Sequence, residues 1–326
     1  MSSNPPDVDY DLAIIGSGIA GLAAARAATA KGLSVKIFDK GRRIGGRAAT
    51  RRANGFTFTH GAQFLTARAD EFRDVCAAAV ADSALTNWQI GGKAAFIGQP
   101  TMRDFAVFLG RDLDISQSVE ITSIEAADNH LKFHTAEGIV ACGKRAILTP
   151  PAPQTAALLR QLAPTLATIA DGASYAPCWT AMFGFDEAPP LPVSPEPLQF
   201  DEGPIALANY EARRPGSDRA NFALTIQASG EWSAQHLEDT SEQTGRTLLA
   251  ELSSLLGVKM PTPIYEGCHR WRYAKVTKPA TSTTKLTSEC GRIAIAGDWV
   301  IGPRIEAAFL SGLKAFEQLS EASELD

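Results

Sequence analysis

The sequence predicts an α/β fold in which a parallel sheet covered by helices is joined to a second, mixed α+β domain. The chain opens with a strand, a helix and a strand at 10–15, 22–31 and 33–38, and their parallel pairing requires a right-handed crossover. Near the end of the sequence, a buried strand at 292–296 and a helix at 305–319 repeat this alternation of strand and helix. Between them, segments rich in aromatic and β-branched residues are typical of antiparallel strands.

The remaining elements follow from hydrophobic periodicity and from Gly and Pro breakers. We expect helices at 69–80, 102–109, 154–170 and 239–256. We expect strands at 87–97 (a pair around Gly91-Gly92), 118–124, 131–134, 139–142, 145–148, 175–185, 205–210, 222–227 and 264–273. The proline-rich breaker at 150–153 predicts a crossing between domains. The first domain is therefore expected to be discontinuous, at about 1–66, 106–152 and 286–326, with the second domain at 67–105 and 153–285.

Composition excludes several classes of protein. The 326 residues are 45% hydrophobic and 21% charged, which is the balance of a folded globular protein. A net charge of −5 leaves no electrostatic excess for nucleic acid. Charge-free stretches reach about 14 residues, short of the roughly 20 that cross a membrane, and with no signal-peptide pattern at residues 1–7 we expect a cytoplasmic location. The five cysteines have neither zinc nor disulfide spacing, so no metal is expected.

The first strand runs into a glycine motif, Gly16-Ser-Gly18-Ile19-Ala20-Gly21, at the start of a helix. Glycines let the backbone approach a pyrophosphate, and the helix N-terminus stabilises its charge. Asp39 ends the second strand, where an acid can accept hydrogen bonds from ribose hydroxyls. The motif predicts a Rossmann-type dinucleotide site; the alternative is a glycine-rich turn without a ligand.

A second glycine element follows, Gly45-Gly46-Arg47. Paired glycines allow another close backbone approach, and the Arg47 guanidinium matches phosphate oxygens. A nicotinamide dehydrogenase does not need this element. Near the C-terminus, Gly297-Asp298 leads into the last helix.

These features resemble the flavin-containing amine oxidase superfamily, and within it the renalases and their bacterial relatives. The matching segments are His60-Gly-Ala-Gln63-Phe64, Pro100-x-Met102, Leu148-Thr-Pro-Pro-Ala-Pro-Gln154, His269-Arg-Trp271-Arg-Tyr273-Ala, and Gly297-Asp-Trp299 through Ile305-Glu-Ala-Ala-x-x-Ser311-Gly312. The resemblance implies a two-domain architecture like those of amine oxidases and p-hydroxybenzoate hydroxylase, with noncovalent FAD between the domains.

The resemblance also implies roles for individual residues. The ADP half of FAD is assigned to the first glycine motif, Asp39 and Lys40, with Val119 contacting adenine through its backbone. Gly45, Gly46 and Arg47 flank the pyrophosphate. Gly61, Ala62 and Gln63 approach the isoalloxazine ring, and Gly297 and Asp298 bind the pyrophosphate or ribityl end, although Asp298 as a plain helix cap is the alternative. Ile305, Glu306 and Ala307 open a helix toward the flavin.

The candidate catalytic residues are His269, Trp271 and Tyr273, together with Gln63. On a strand, residues 269, 271 and 273 share one face, which could stack a planar substrate against the flavin. The alternative is an aromatic sheet core. The other histidines, His130, His134 and His236, lack metal spacing and are expected to be structural.

The resemblance implies an FAD-dependent oxidase of dihydronicotinamide dinucleotides reduced at the wrong ring position, the 2- and 6-dihydro forms of NAD(P). Hydride transfer to flavin N5 would return NAD(P)⁺, and dioxygen would accept the electrons to give hydrogen peroxide. An amine or amino-acid oxidase stays open, with an aromatic pair drawn from Tyr175, Tyr210, Tyr265 and Tyr273. A desaturase, a noncatalytic flavin-binding protein and covalent attachment through Cys268 stay open as well.

Overall fold

The computed structural model describes residues 8–192, 194, 196–217, 220–280 and 285–322. Its strands are β1 Tyr10–Ile15, β2 Val35–Asp39, β3 Arg51–Ala53, β4 Phe56–Phe58, β5 Leu85–Ile90, β6 Lys93–Gly98, β7 Ile115–Gln117, β8 Ser123–Ala126, β9 Leu131–Thr135, β10 Gly138–Leu148, β11 Ser174–Gly184, β12 Leu198–Gln199, β13 Ile205–Tyr210, β14 Ala223–Ala228, β15 Tyr265–Lys278 and β16 Ile293–Ile295. Its α-helices are α1 Ile19–Ala30, α2 Asp70–Ala81, α3 Met102–Leu109, α4 Ala152–Leu159, α5 Pro164–Asp171, α6 Gly230–Gln235, α7 Ser241–Leu256, α8 Asp298–Ile301 and α9 Ile305–Glu321, and a 3₁₀ turn spans Glu211–Arg213.

The first sheet carries the two ends of the chain. Its order is β7-β2-β1-β10-β9-β8, with β16 beside β10. β1, β2, β7, β16 and the second half of β10 run parallel, whereas β8 and β9 are antiparallel. Helices α1 and α9 cover one face, and they approach so closely that a Cβ on Gly312 would lie 2.2 Å from the Ala20 carbonyl oxygen. The predicted α/β architecture with a parallel sheet is confirmed.

The second sheet is antiparallel, with the order β12-β13-β14-β11-β15. Its two faces differ, because side chains alternate along each strand. One face packs under α7 through buried apolar residues such as Trp179, Phe183 and Ile226. The other face carries Thr180, Thr225 and Gln227, which are polar, and it looks toward the chain segment after β4. A sheet that is apolar on one side only leaves its second face available for a site.

The predicted domain boundaries stay a prediction. Residues 67–105 were assigned to the second domain, yet Phe72, Trp88 and Phe105 share one apolar cluster with residues of β1 and α1. Hairpin β5–β6 and helices α2 and α3 therefore pack beside the parallel sheet.

Several predicted elements need correction. The predicted strand at 118–124 is wrong, because β7 ends at Gln117 and Ser118 adopts a left-handed φ of 59°. The predicted helix at 154–170 is two helices, since Pro164 cannot continue α4 and starts α5 instead. The strands predicted at 139–142 and 145–148 form one strand, β10, with a bulge near Ile139. β15 continues past 273 to Lys278, and helix α6 was missed.

Among the described residues, no helix has both the length and the apolarity required to cross a bilayer.

Candidate active site

The glycine motif forms the turn between β1 and α1. Gly16 has a φ of +103°, and a Cβ on Gly21 would lie 2.0 Å from the Gly16 carbonyl oxygen, so this turn closes only with glycine at both positions. Gly18 differs, because a Cβ there would meet nothing within 4 Å. Gly18 is the N-cap of α1, and no side chain caps the helix. The turn therefore presents open space in front of a helix N-terminus, which is the geometry that binds phosphate.

Asp39 lies beside this turn at the end of β2. Its Oδ2 accepts hydrogen bonds from the Ser17 backbone N–H (2.5 Å) and the Ser17 hydroxyl (2.7 Å), and its Oδ1 accepts from the Gly41 N–H (2.6 Å). The Val119 N–H donates to the Asp39 carbonyl oxygen (2.9 Å). Asp39 and Val119, predicted for the ribose and the adenine, are therefore adjacent. Lys40 is exposed and pairs with Glu120 at 3.5 Å.

The second glycine element lies over the first. The Gly45 N–H donates to the Ser17 carbonyl oxygen (2.9 Å), and a Cβ on Gly46 would lie 3.4 Å from Gly18 Cα. The next segment then contacts this element, because the Ala62 N–H donates to the Arg47 carbonyl oxygen (2.9 Å). Residues predicted from three separate motifs thus form one continuous surface.

Arg47 and Asp298 contact each other. The guanidinium donates from Nη2 to Oδ1 (2.5 Å) and from Nη1 to Oδ2 (2.9 Å), with a further bond from Nη1 to the Ala274 carbonyl oxygen (3.2 Å). Burial alone would lower the pKa of Arg47, but the Asp298 carboxylate raises it above its usual value. This bidentate pair joins the loop after β2 to α8 and β15, and it lies next to the predicted pyrophosphate position.

The C-terminal motif places Glu306 in the first turn of α9, after Ile305 and before Ala307. Glu306 is buried, and its Oε1 accepts hydrogen bonds from the backbone N–H groups of Arg68 (2.6 Å) and Ala69 (2.7 Å). Glu306 thus holds the start of α2 against α9, a contact that the sequence did not predict.

Gly297, just before α8, has a φ of +147°, and a Cβ there would lie 2.4 Å from Trp299 Nε1.

The segment after β4 brings His60 to the predicted catalytic strand. The His60 ring stacks on Trp271 (centroids 5.4 Å apart, 26° between planes) and meets His269 edge-on (5.3 Å, 86°). His269 and Trp271 are also in edge contact at 4.3 Å, and Trp271 Nε1 donates to the His60 carbonyl oxygen (3.0 Å). We call His60, His269 and Trp271 the aromatic cluster.

Both imidazoles of the aromatic cluster are held neutral. Burial, with smaller contributions from His269 and Arg51, lowers the pKa of His60 to about 3. Burial and then Arg51 lower the pKa of His269. His60 Nδ1 is buried with no hydrogen-bond partner among the described residues. The cluster is therefore uncharged, with His269 steeply inclined to the two stacked rings and with one buried polar atom unsatisfied among the described residues.

A buried polar network on the second sheet was missed by sequence reasoning. Glu211 accepts hydrogen bonds from the Thr59 N–H (2.7 Å) and hydroxyl (3.1 Å) and from the Thr225 hydroxyl (3.2 Å). Arg214 Nε lies 3.6 Å from Glu211 Oε2, and both side chains are almost fully buried. The Arg214 guanidinium also donates to the Gln63 carbonyl oxygen from both terminal nitrogens (3.2 Å each).

This network fixes the chain segment that approaches the site. The Gln63 amide donates to the Thr59 and Gly61 carbonyl oxygens, and the Gln227 amide donates to Gly61 as well (2.7 Å). Predicted residue Gln63 is thus clamped between a turn and the sheet. A sequence signal existed, since Leu224-Thr225-Ile226-Gln227 alternates apolar and polar residues, but it did not reveal the partners.

Two of the four candidate tyrosines are in contact. Tyr175 and Tyr273 meet at 5.4 Å between ring centroids with 62° between their planes, and the Tyr175 hydroxyl accepts a bond from the Ala152 N–H (3.0 Å). Burial raises the pKa of Tyr175. Tyr210 instead carries the Arg213 guanidinium over its ring, and Tyr265 stacks on Phe58.

The residues described here fit a dinucleotide cofactor. The space in front of Gly18, the uncapped N-terminus of α1 and the Asp39 carboxylate supply what phosphate and ribose require. The segment 61–63 is bonded to the loop that carries Arg47 through the Ala62 N–H, and the aromatic cluster is bonded to the same segment through the Trp271 indole and the His60 carbonyl oxygen.

Comparison with known proteins agrees with this geometry. Residues 14–79 match the model of the NAD(P)-binding Rossmann-like domain, and residues 86–319 match that of the flavin containing amine oxidoreductases. A 4,4'-diapophytoene desaturase (4,4'-diaponeurosporene-forming) of Staphylococcus haemolyticus is 46% identical over 50 residues, which is 15% of this chain and 10% of that protein. A protein of Mycobacterium tuberculosis assigned as a flavin-containing monoamine oxidase is 41% identical over 63 residues, 19% of this chain and 14% of that protein.

Among solved structures, a protein from Exiguobacterium sp. 255-15 assigned as a protoporphyrinogen oxidase superposes with a TM-score of 0.73 at 15% identity, covering 96% of this chain and 98% of that one. A putrescine oxidase variant from a redesign of cofactor binding superposes with a TM-score of 0.65 at 14% identity, covering 97% and 99%. These structures share the two-domain fold. The family match extends over most of the chain, and the chain belongs to the flavin containing amine oxidoreductase family.

Proposed function

We propose that the protein is a renalase-like FAD-dependent oxidase of isomeric dihydronicotinamides, 2- or 6-dihydro-NAD(P), that produces NAD(P)⁺ and hydrogen peroxide. The observation that carries this proposal is the aromatic cluster, an uncharged group of three rings that includes His60 and is bonded to the segment 60–63 through Trp271 Nε1. Family membership supports a flavin oxidoreductase in general; the donor is our own inference.

Bound FAD would supply a two-electron acceptor that takes a hydride from the donor carbon and passes the electrons to dioxygen. The protein's part is to bind and orient the donor in a dry pocket. A dihydronicotinamide ring is uncharged and becomes a cation when it loses hydride. The Trp271 indole suits both states, because an uncharged ring packs against it and a cation is attracted to its face.

Most carboxylate oxygens of the site are already engaged. Asp298 pairs with Arg47, and Glu211 is bonded to Thr59 and Thr225. Glu306 Oε1 accepts two backbone N–H groups, and its Oε2, without a hydrogen bond among the described residues, lies 3.6 Å from Arg304 Nη1. An ammonium donor would have to compete for these groups. This favours an uncharged donor ring over a charged amine.

Noncovalent FAD is part of the proposal. Cys268 lies on the strand face opposite to His269, and a Cβ on Gly245 of α7 would lie 3.7 Å from its Cβ. Burial raises the pKa of Cys268 to about 12, so its thiol stays protonated and unreactive.

A second candidate, an amine oxidase, is favoured by one observation. The Tyr175–Tyr273 pair is the kind of aromatic pair that would flank an amine. Tyr175 is also close enough to Asp298 and Arg47 that their charges shift its pKa, Asp298 upward and Arg47 downward. The desaturase candidate rests on a match of 50 residues.

Hydrogen peroxide formation with a panel of donors separates these candidates. The panel holds 2- and 6-dihydro-NAD, ordinary NADH and putrescine, with the purified flavoprotein. We expect turnover with the dihydro isomers only. Turnover with putrescine alone would establish the amine oxidase, and peroxide from none of the donors would reject the proposed oxidase.

Trp271→Ala tests the aromatic cluster. We expect the rate with the isomers to fall by about tenfold to a hundredfold, since one stacked ring and one hydrogen bond disappear, while flavin content is retained. Arg270→Gln is the matched control, because Arg270 lies over Trp179 on the other face of β15 and pairs with Glu238. Equal rates in both variants would show that the aromatic cluster is part of the sheet core and does not bind the donor.

A further inference from the structure

Arg51 lies on the hairpin that precedes the aromatic cluster. In the β3–β4 pairing it is directly opposite Phe58, so the two side chains leave the hairpin on the same face. Phe58 is fully buried against Tyr265 (ring centroids 5.2 Å apart) and Met182 of the second sheet. Arg51 is therefore directed toward the sheet face that carries His269.

The Arg51 guanidinium has no partner in the described part of the chain. Among the described residues it makes no hydrogen bond and no ion pair, although the side chain is half-buried. Other arginines near the site, Arg47, Arg214 and Arg270, are each bonded to a carboxylate or a carbonyl oxygen. Its five N–H donors are therefore available to an acceptor that a ligand supplies.

Arg52, the next residue, is paired with Thr57 and therefore points to the opposite face of the hairpin. Arg52 and Arg43 lie near Arg103 instead: burial and then Arg43 lower the pKa of Arg103, Asp104 opposes them, and Arg52 adds a smaller lowering effect. The charge of Arg52 is thus separated from the sheet face toward which Arg51 is directed.

Arg51 is also near the proposed donor site. Its charge acts on both His60 and His269, and the buried Nδ1 of His60 in the same region has no hydrogen-bond partner in the described part of the chain. A donor ring on the aromatic cluster would place the rest of the molecule within reach of this region.

We propose that Arg51 binds a phosphate oxygen of the dinucleotide donor and thereby selects dinucleotides over donors without phosphate. The proposal rests on the proposed function and names the determinant of its substrate class. The guanidinium fork matches phosphate oxygens, and the same charge repels a cationic amine.

Two donors with the same ring test this selection: 6-dihydro-NAD and the 6-dihydro riboside of nicotinamide, which has no phosphate. We expect the ratio of kcat/KM for the dinucleotide to that for the riboside to fall about tenfold to thirtyfold in Arg51→Gln, the range of a lost charge-assisted hydrogen bond. Arg52→Gln removes the same charge from the neighbouring residue without the contact, and its ratio should stay within about twofold of wild type at physiological salt.

An unchanged ratio in Arg51→Gln, or an equal loss in both variants, would overturn the contact. Flavin content and melting temperature show whether a variant is folded. If Arg51→Gln does not fold, Arg51→Lys replaces it in the kinetic comparison, because lysine keeps the positive charge but lacks the guanidinium fork.

A binding measurement separates this proposal from the proposed function. ADP-ribose is titrated into the oxidised holoenzyme by calorimetry, without any turnover. Weaker binding in Arg51→Gln than in Arg52→Gln supports the phosphate contact, whether or not a dihydronicotinamide is oxidised. Absence of dihydronicotinamide oxidation together with this binding difference would reject the proposed function and leave the phosphate contact in place. Identical binding in both variants overturns the contact. If benzoate binds in place of ADP-ribose and depends on Arg51, the phosphate assignment is wrong.

Discussion

The phosphate turn around Gly18 and the polar face of the second sheet are built in opposite ways. The turn consists of residues close in sequence, and backbone contacts such as Gly21 against the Gly16 carbonyl oxygen shape it. The polar face consists of side chains from distant segments, and Glu211 reaches Thr59 across 152 positions. The turn depends on glycines, which have no side chain, whereas the polar face depends on side chains that form hydrogen bonds with one another. The first kind of site can be read from a local pattern and the second cannot.

The largest expected effect comes from breaking the polar face. Arg214→Met should lower the free energy of unfolding by about 3–5 kcal/mol, because it leaves the buried Glu211 carboxylate without its cation. Denaturant unfolding followed by circular dichroism measures the loss. The control is Arg160→Met, since Arg160 forms an exposed pair with Asp171, and no measurable change is expected there. If both variants unfold at the same denaturant concentration, the buried network is not a structural requirement.

The two histidines of the aromatic cluster make the stability of the protein depend on pH. Both cluster histidines have lowered pKa values in the folded protein, so below about pH 6.5 the unfolded chain binds protons that the folded chain excludes. Stability should therefore be complete above about pH 6.5 and fall as the pH drops toward 3.

His60 alone should account for about 2 kcal/mol of the loss between pH 7 and pH 5. His60→Gln should flatten the slope of unfolding free energy against pH in that interval. His236→Gln is the control, because His236 is a half-buried histidine outside the cluster that pairs with Asp239 and stacks on Trp232. A slope unchanged in His60→Gln would show that folding does not lower the pKa of His60.

A smaller effect is expected at the phosphate turn. In Gly18→Ala the methyl group meets no protein atom within 4 Å, and the φ of −73° suits alanine. The apo protein should keep its melting temperature, but FAD affinity should fall about tenfold to thirtyfold, or about 1.4–2 kcal/mol, since the methyl group would occupy the space assigned to the cofactor. Fluorescence titration with FAD measures this, and full affinity in the variant would contradict the phosphate turn.

The same contrast explains what the sequence could and could not predict. The glycine motifs, Asp39, and the shared face of His269 and Trp271 depend on strand alternation and on turns, and the structure places them as expected. Stacking of His60 on Trp271 joins residues 211 positions apart, and no periodicity reveals such a contact. Tyr273 packs against Tyr175 next to a bulge in the β11–β15 pairing, an irregularity that alternation does not anticipate. Pro164 marks the break between α4 and α5, but the apolar periodicity on both sides of it predicted a single helix.

We propose that the aromatic cluster presents an isomeric dihydronicotinamide to bound FAD. To test this, the visible flavin spectrum is followed without oxygen after mixing with a preparation of 2- and 6-dihydro-NAD, in a single turnover. We expect rapid bleaching by the isomers and none by ordinary NADH. A flavin that stays oxidised with the isomers, or one that ordinary NADH bleaches equally fast, would rule out this role of the cluster.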